Sequence, residues 1–201
     1  SLLINKILND ALEKRASDIH LTVGNYPVLR INGALMMMTE EQILTPDFVT
    51  AMSQTFLSET DQQRLQHDRE VTVAYTWADR ARFRAQVFYQ KGYLAISLRL
   101  IPQLLPAPKD LGLSSVVINA AEQPRGLILV VGPYHYGRTT TVFSLVESIN
   151  QRLGKRIVTL ERPIEYILIN NKAIINQREV GKDSPTFNDG MREIIDDDAD
   201  I

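Results

Sequence analysis

The stretch Gly132-Pro133-Tyr134-His135-Tyr136-Gly137-Arg138-Thr139 fits the spacing G-x4-G-[K/R]-[S/T] of a phosphate-binding loop. Such a loop turns successive backbone N–H groups onto a phosphate at the positive end of a helix. A basic residue then reaches the outer phosphates and a hydroxyl holds Mg2+. Gly132, Gly137, Arg138, Thr139 and Thr140 are therefore the candidate nucleotide-binding residues, with Thr139 toward the metal. Two features depart from the usual pattern. Arg138 stands where Lys is usual, and its planar fork is larger than a point-like ammonium. Tyr134, His135 and Tyr136 are bulky, and a positive φ at His135 would suit histidine far less than glycine. The alternative is a tight strand-to-helix turn without a ligand.

A phosphate loop needs a buried strand before it and a helix after it. Leu127-Ile128-Leu129-Val130-Val131 predicts the strand (Gly126–Val131), and Thr139–Leu153 predicts the helix, closed by Gly154 at C′. A short helix (Ser114–Ala121) precedes them. A strand (Arg156–Glu161), two short strands (Ile164–Ile169, Lys172–Asn176) and a helix (Thr186–Ile195) follow. Strand, helix, strand is the grammar of a parallel sheet with covering helices.

The first half reads differently. Ile4, Ile7, Leu8, Ala11 and Leu12 form one helical stripe over residues 2–15. Ile19–Thr22, Val28–Ile31 and Ala34–Met38 read as strands, the last two joined by a turn at Asn32-Gly33. Thr45–Phe56 and Glu59–Gln66 read as helices, and Val71–Trp77, Arg82–Gln90 and Tyr93–Leu100 as strands. Ile101–Lys109 holds Pro102, Pro106 and Pro108, which regular structure would not accept, so this segment is the expected linker. The expected division is 1–100, 101–110 and 111–201.

With 22 Lys+Arg against 24 Asp+Glu, the net charge of −2 excludes a nucleic-acid binder that works by bulk positive charge. There is no cysteine, and His20, His67 and His135 are scattered, so neither a thiolate nor a histidine metal site is expected. The longest apolar run falls far short of the ~20 residues of a membrane helix, and the start does not resemble a signal peptide. A cytosolic protein without membrane insertion is the simplest expectation. Ser1 in place of Met, and Asp200-Ile201 as the entry to a buried strand, suggest a piece of something longer.

Arg82 and Arg84 share one strand face. With a two-residue turn at Lys91-Gly92, Arg84 falls opposite Arg99, an unfavourable pairing unless an anion offsets it. A carboxylate or a nucleotide phosphate would serve. His20 reads as a hydrogen-bonded structural histidine and Met36-Met37-Met38 as core filling with at least one exposed member. Asp196-Asp197-Asp198 reads as a solvated acidic turn.

Several motifs coincide along the chain. Ala16-Ser17-Asp18-Ile19-His20-Leu21, Arg30-Ile31-Asn32-Gly33, Ala81-Arg82-Phe83-Arg84 and Arg99-Leu100-Ile101-Pro102 occur in order before the loop. After it come Thr159-Leu160-Glu161-Arg162-Pro163-Ile164-Glu165-Tyr166, Asn176-Gln177-Arg178-Glu179-Val180-Gly181 and the stretch from Phe187 to Ile201. Together they resemble the PilT/PilU and GspE-type secretion ATPases, closest to the pilus-retraction branch. The resemblance implies α/β and α+β architecture: an N-terminal PAS-like α+β domain, a Pro-rich linker and a partial RecA-like P-loop NTPase domain. It implies hexameric rings that use ATP and Mg2+, work beside an inner-membrane platform protein, and drive twitching motility, pilus assembly or type II secretion from the cytoplasmic side. It further implies that Glu165 polarises the attacking water, that Glu161 helps to organise Mg2+, and that Arg82, Arg84 and Arg99 contact phosphate.

The departures fall on the nucleotide chemistry. Arg162 replaces the Asp of the "Asp box", and could pair with Glu161 or Glu165. Asp196 replaces an Arg, and Asp198-Ala199-Asp200 replaces D-P-D. The chain stops before the family's Walker B strand. Two functions compete: a motor subunit, and a catalytically impaired ring member or scaffold that keeps the oligomer surfaces. A nucleotide sensor is a more remote third. Little or no hydrolysis is expected of these 201 residues alone.

Overall fold

The computed structural model describes residues 2–133 and 136–201. It divides into two compact units, Ser1–Ile101 and Pro102–Ile201. The expectations for Tyr134 and His135 lie outside the described residues.

In the first unit, the stripe Ile4, Ile7, Leu8 and Ala11 is buried along α1 (Leu2–Glu13). Six strands form one antiparallel sheet: β1 (Asp18–Thr22), β2 (Val28–Ile31), β3 (Ala34–Met37), β4 (Glu70–Trp77), β5 (Ala81–Gln90) and β6 (Tyr93–Ile101), in the order β3-β2-β1-β6-β5-β4. The hairpin turns use left-handed backbone at Asn32-Gly33 (φ 49° and 84°) and Lys91-Gly92 (φ 50° and 83°), which suits the strand twist. The second turn sets the register that places Arg84 opposite Arg99.

Two helices carry the chain from β3 to β4. Thr45 accepts the Phe48 N–H to start α2 (Pro46–Phe56), and a Ser58/Asp61 capping box starts α3 (Glu59–Asp68). One face of the sheet, with Ile19, Leu21, Leu29, Ile96, Leu98, Phe83, Ala85 and Val87, forms a single core with the buried faces of α1, α2 and α3. Trp77 Nε1 donates to Asn5 Oδ1 at 3.2 Å and ties α1 to β4. At the β3 edge Met36 and Met37 are exposed, while Met38 is buried.

In the second unit, α4 (Ser115–Ala121) and α5 (Arg138–Arg152) precede β7 (Arg156–Glu161) and β8 (Ile174–Glu179), which pair in parallel; α6 (Phe187–Ile195) follows. Ile149 of α5 joins Ile157, Ala173 and Ile175 in a small core. On α6, Gly190 approaches β7 so closely that a Cβ there would lie 2.7 Å from Leu160 Cδ2. Leu153 is the C-cap of α5, so Gly154 falls at C′ as expected, though without a positive φ. No helix among the described residues is long and apolar enough to cross a membrane.

Two expected strands are corrected. Gly126–Val131 is not a strand: Leu127, Ile128, Leu129 and Val131 are exposed. A strand exists only through a ladder partner, and among the described residues this segment has none; Asp200-Ile201 instead runs beside β7. The Val158 N–H donates to Ile201 O at 2.8 Å, and the Ile201 N–H to Arg156 O at 3.2 Å. The expected entry to a strand at Asp200-Ile201 thus lies against β7.

Ile164–Ile169 is likewise irregular, and the second expected strand forms at Ile174–Glu179. Side chains, not a ladder, satisfy the backbone of this segment. Ile164 N–H donates to Glu179 Oε2 (3.1 Å) and Leu168 N–H to Gln177 Oε1 (2.8 Å). Gln177 Nε2 donates to Tyr166 O (2.8 Å) and Asn150 Nδ2 to Ile169 O (2.8 Å). The demand that buried backbone groups find partners is met without strand geometry.

Candidate functional site

The helix α5 begins at Arg138 with Gly137 as its N-cap, at φ 77° and ψ 15°, and no side chain caps it. Its first backbone bond runs from Thr141 N–H to Gly137 O at 2.8 Å. The amides of Arg138, Thr139 and Thr140 therefore have no acceptor within the helix, and stand at its positive end. A Cβ on Gly132 would lie 3.8 Å from Arg138 Cγ and 4.0 Å from Tyr136 Cβ. Gly132 thus lies beside Arg138, and Tyr136 is 78% exposed.

The segment after β7 is fastened to this helix start. Thr140 Oγ1 lies 3.4 Å from Tyr166 Oη, and the Tyr166 ring packs on Phe143 with centroids 5.5 Å apart. The segment that carries Glu165 thus meets α5 at its first turn through Tyr166. Glu165 is half-buried.

Glu161 faces inward. Its Oε1 accepts from Thr159 Oγ1 at 2.6 Å and from Gln177 Nε2 at 2.9 Å. Burial pushes its carboxyl above the ordinary value, against the lowering by the bonds from Thr159, Gln177 and the Glu165 amide. Arg162 is exposed and makes no ion pair among the described residues, so the expected pairing with Glu161 or Glu165 is not formed.

Thr139 is the residue that would hold Mg2+ here, through its hydroxyl. Glu161 is engaged by its own donors and is not a free ligand. Among the described residues no three His, Asp or Glu side chains group as a metal site. A Mg2+ carried by a nucleotide needs no such cluster, because phosphate oxygens and water supply most of its ligands, so the Thr139 hydroxyl fits the ion.

Arg82, Arg84 and Arg99 lie in the first unit. Arg82 Nη1 donates to Thr76 Oγ1 at 2.7 Å. Arg84, Arg99, Asp18 and Arg30 form one cross-strand row through the registers Arg84↔Arg99, Asp18↔Arg99 and Asp18↔Arg30. Asp18, 5% exposed, accepts Arg99 Nε at 3.0 Å and Ser17 Oγ at 2.8 Å. A carboxylate therefore offsets this row, the first of the two anions considered. Two residues along, His20 Nδ1 lies 3.2 Å from Ser97 Oγ, while Nε2 is buried without a partner. Burial lowers the His20 pKa; Asp18 opposes this, and Arg30 and Arg99 add to it.

Sequence reasoning missed Asp18, Gln177 and Asn150 as organising residues. Asp18 and Gln177 lay within the quoted motifs, but their partners come from distant strands. Asn150 gave only a polar position on a helix that should bury its apolar face.

A family model described as "Type II/IV secretion system protein" matches residues 1–201. The chain is 29% identical over 198 residues to the type IV pilus retractation ATPase PilT of Pseudomonas aeruginosa, covering 98% of this chain and 57% of that protein. It is 28% identical over 190 residues to the type IV pilus ATPase PilU of the same organism, covering 94% and 50%. A crystal structure of the pilus retraction motor PilT with bound ADP superposes with a TM-score of 0.88 at 39% identity, over 96% of this chain and 57% of that one. The chain thus spans between half and two thirds of the length of these relatives. It belongs to the type II/IV secretion system protein family, and within it to the PilT/PilU type.

Proposed function

We propose that this chain binds ATP at the first turn of α5 and serves in the motor of a type IV pilus or a type II secretion machine, coupling ATP hydrolysis to pilus dynamics. One observation carries the reading: α5 starts on a left-handed Gly137 with no capping side chain, and Gly132 lies beside Arg138. Such a start leaves amides and a guanidinium for a phosphate. The similarity to a pilus retraction motor whose structure holds ADP supports it.

In this reading Gly132, Gly137, Arg138, Thr139 and Thr140 hold the phosphates. Glu165 polarises the attacking water, and Glu161 fixes the segment that carries it. Arg82, Arg84 and Arg99 sense the phosphate charge. Thr139 would hold Mg2+, which would neutralise phosphate charge. The first unit is PAS-like, the second part of a RecA-like domain. The assembly is a hexameric ring on the cytoplasmic side, peripheral at the inner membrane, with a platform protein as partner and no nucleic acid.

A second reading, an impaired ring member or scaffold with weak turnover, is favoured by the inward-facing Glu161 and by arginine at positions 138 and 162. Equilibrium binding of labelled ATP to the chain and to Arg138→Lys tests the site: both should saturate. If neither binds, the nucleotide function is wrong. Phosphate release by the same material separates the readings, since sustained turnover would dismiss the scaffold.

A further inference from the structure

The proline-rich segment is tied to α5 by one side chain. The Ser144 hydroxyl, 1% exposed, donates to Pro106 O at 2.7 Å. Both residues lie in the second unit. A helical serine commonly turns its hydroxyl back onto its own helix. Here the bond leaves the helix for a residue 38 positions earlier. The segment needs such a partner. Pro102, Pro106 and Pro108 have no N–H, so backbone donors are too few to zip it onto a neighbour. Beyond the tie the chain is ordered: Pro108 is buried, the Asp110 N–H donates to Ala107 O at 2.9 Å, and the Leu113 N–H donates to Pro108 O at 3.1 Å.

Two fixed points therefore bound residues 102–105. Ile101 ends β6, is buried, and pairs with Arg82. Pro106 is held on α5. Five residue steps separate them, a span of at most about 18 Å. Without the Ser144 bond, the next anchor is α4, which Glu122 joins to Arg152 of α5. Its N-cap, Ser114, stands thirteen steps from Ile101. Ser144 itself lies six residues beyond Arg138, about 9 Å along the axis of α5.

We infer that Ser144 is a positioning residue: its hydroxyl fixes where the chain leading to the first unit leaves α5, and so shortens the leash of that unit from thirteen residue steps to five. The inference extends the nucleotide site proposed above, because α5 is the helix assigned there to phosphate; the tie itself does not depend on a nucleotide. Leash length sets the effective concentration of one unit at the other, which falls roughly as the −3/2 power of length. Thirteen steps against five is about a fourfold difference.

The chain has no cysteine, so Gln66→Cys on α3 and Gln151→Cys on α5, both exposed, give the only two sites for spin labels. Double electron–electron resonance without nucleotide measures the spread of distances between the units, with Ser144 and with Ser144→Ala. Circular-dichroism melts check that both chains fold. The reach of a flexible chain grows as the square root of its length, so Ser144→Ala should widen the spread about 1.6-fold. The amides of Asp110 and Leu113 should exchange with deuterium about tenfold faster in Ser144→Ala, while those of Ile149 and Leu153 stay unchanged. An unchanged spread overturns the inference. So does a wider spread accompanied by lost protection along α5, because the helix itself would then have loosened. N-methylanthraniloyl-ATP should bind Ser144→Ala no more than about fourfold more weakly than wild type. A loss of about tenfold or more would place the effect in the phosphate site and overturn the leash. Absence of saturable binding to either chain is a separate outcome: it overturns the nucleotide site and leaves the distance measurement standing.

Discussion

Asp18 stands directly across from Arg99 on the neighbouring strand and accepts its Nε–H at 3.0 Å. Arg84 lies on the far side of Arg99 and Arg30 on the far side of Asp18, so one buried carboxylate is set among three guanidinium groups. Arg30 Nε is 4.0 Å from Asp18 Oδ2 and contributes less directly. Removing the carboxylate charge would leave like charges facing each other across the ladder. Asp18→Asn is expected to destabilise the first unit by about 2 kcal/mol, less than the loss of a fully buried pair. Urea unfolding followed by Trp77 fluorescence measures it. A midpoint equal to wild type would show that the row contributes nothing to stability.

Asn150 is fully buried on α5. Its amide donates to Glu147 Oε2 at 2.9 Å and Ile169 O at 2.8 Å, while Oδ1 accepts the Asn171 N–H at 3.0 Å. Asn150→Leu keeps the volume but strands the Ile169 and Asn171 backbone groups. The expected cost is about 2–3 kcal/mol, confined to the second unit. Hydrogen exchange should show faster amides at Asn171 and its neighbours, with β1–β6 unchanged; uniform protection in both units would contradict this assignment.

Glu161 makes stability depend on pH in a defined direction. Burial raises its folded pKa above the unfolded value of about 4.3. The folded state then binds the proton more tightly, so this group's contribution is fully present below the unfolded pKa and is lost as pH rises through the folded pKa. Glu161→Gln keeps an oxygen acceptor for Thr159 and Gln177 but removes the buried charge. The variant should therefore unfold at a higher denaturant concentration than wild type at pH 7, with the gap closing toward pH 4. A gap that widens on acidification would reverse the assigned shift.

The parts of the fold read correctly from sequence are those governed by neighbours in the chain. The α1 stripe follows from steps of three and four, and the Lys91-Gly92 turn fixes the register of Arg84 against Arg99. The Asp18–Arg99 contact spans 81 positions, and no local pattern announces that β1 lies beside β6. Leu127–Val131 and Ile164–Ile169 have the apolar, β-branched character of strands. Composition cannot tell whether a ladder partner is available, nor that Gln177 and Asn150 will satisfy the second segment instead. At the site, the glycine spacing marked the start of α5, whereas the inward turn of Glu161 depends on Thr159 and on a residue from β8.

Residues 163–171 hang from a few stitches: Glu179, Gln177 and Asn150. Between those stitches, Ile167 and Ile169 are exposed and carry no pairing register. Inserting or deleting a residue here would slip no strand out of step. The parallel pairing of β7 with β8 is therefore set outside this segment, and a change of its length leaves that register standing.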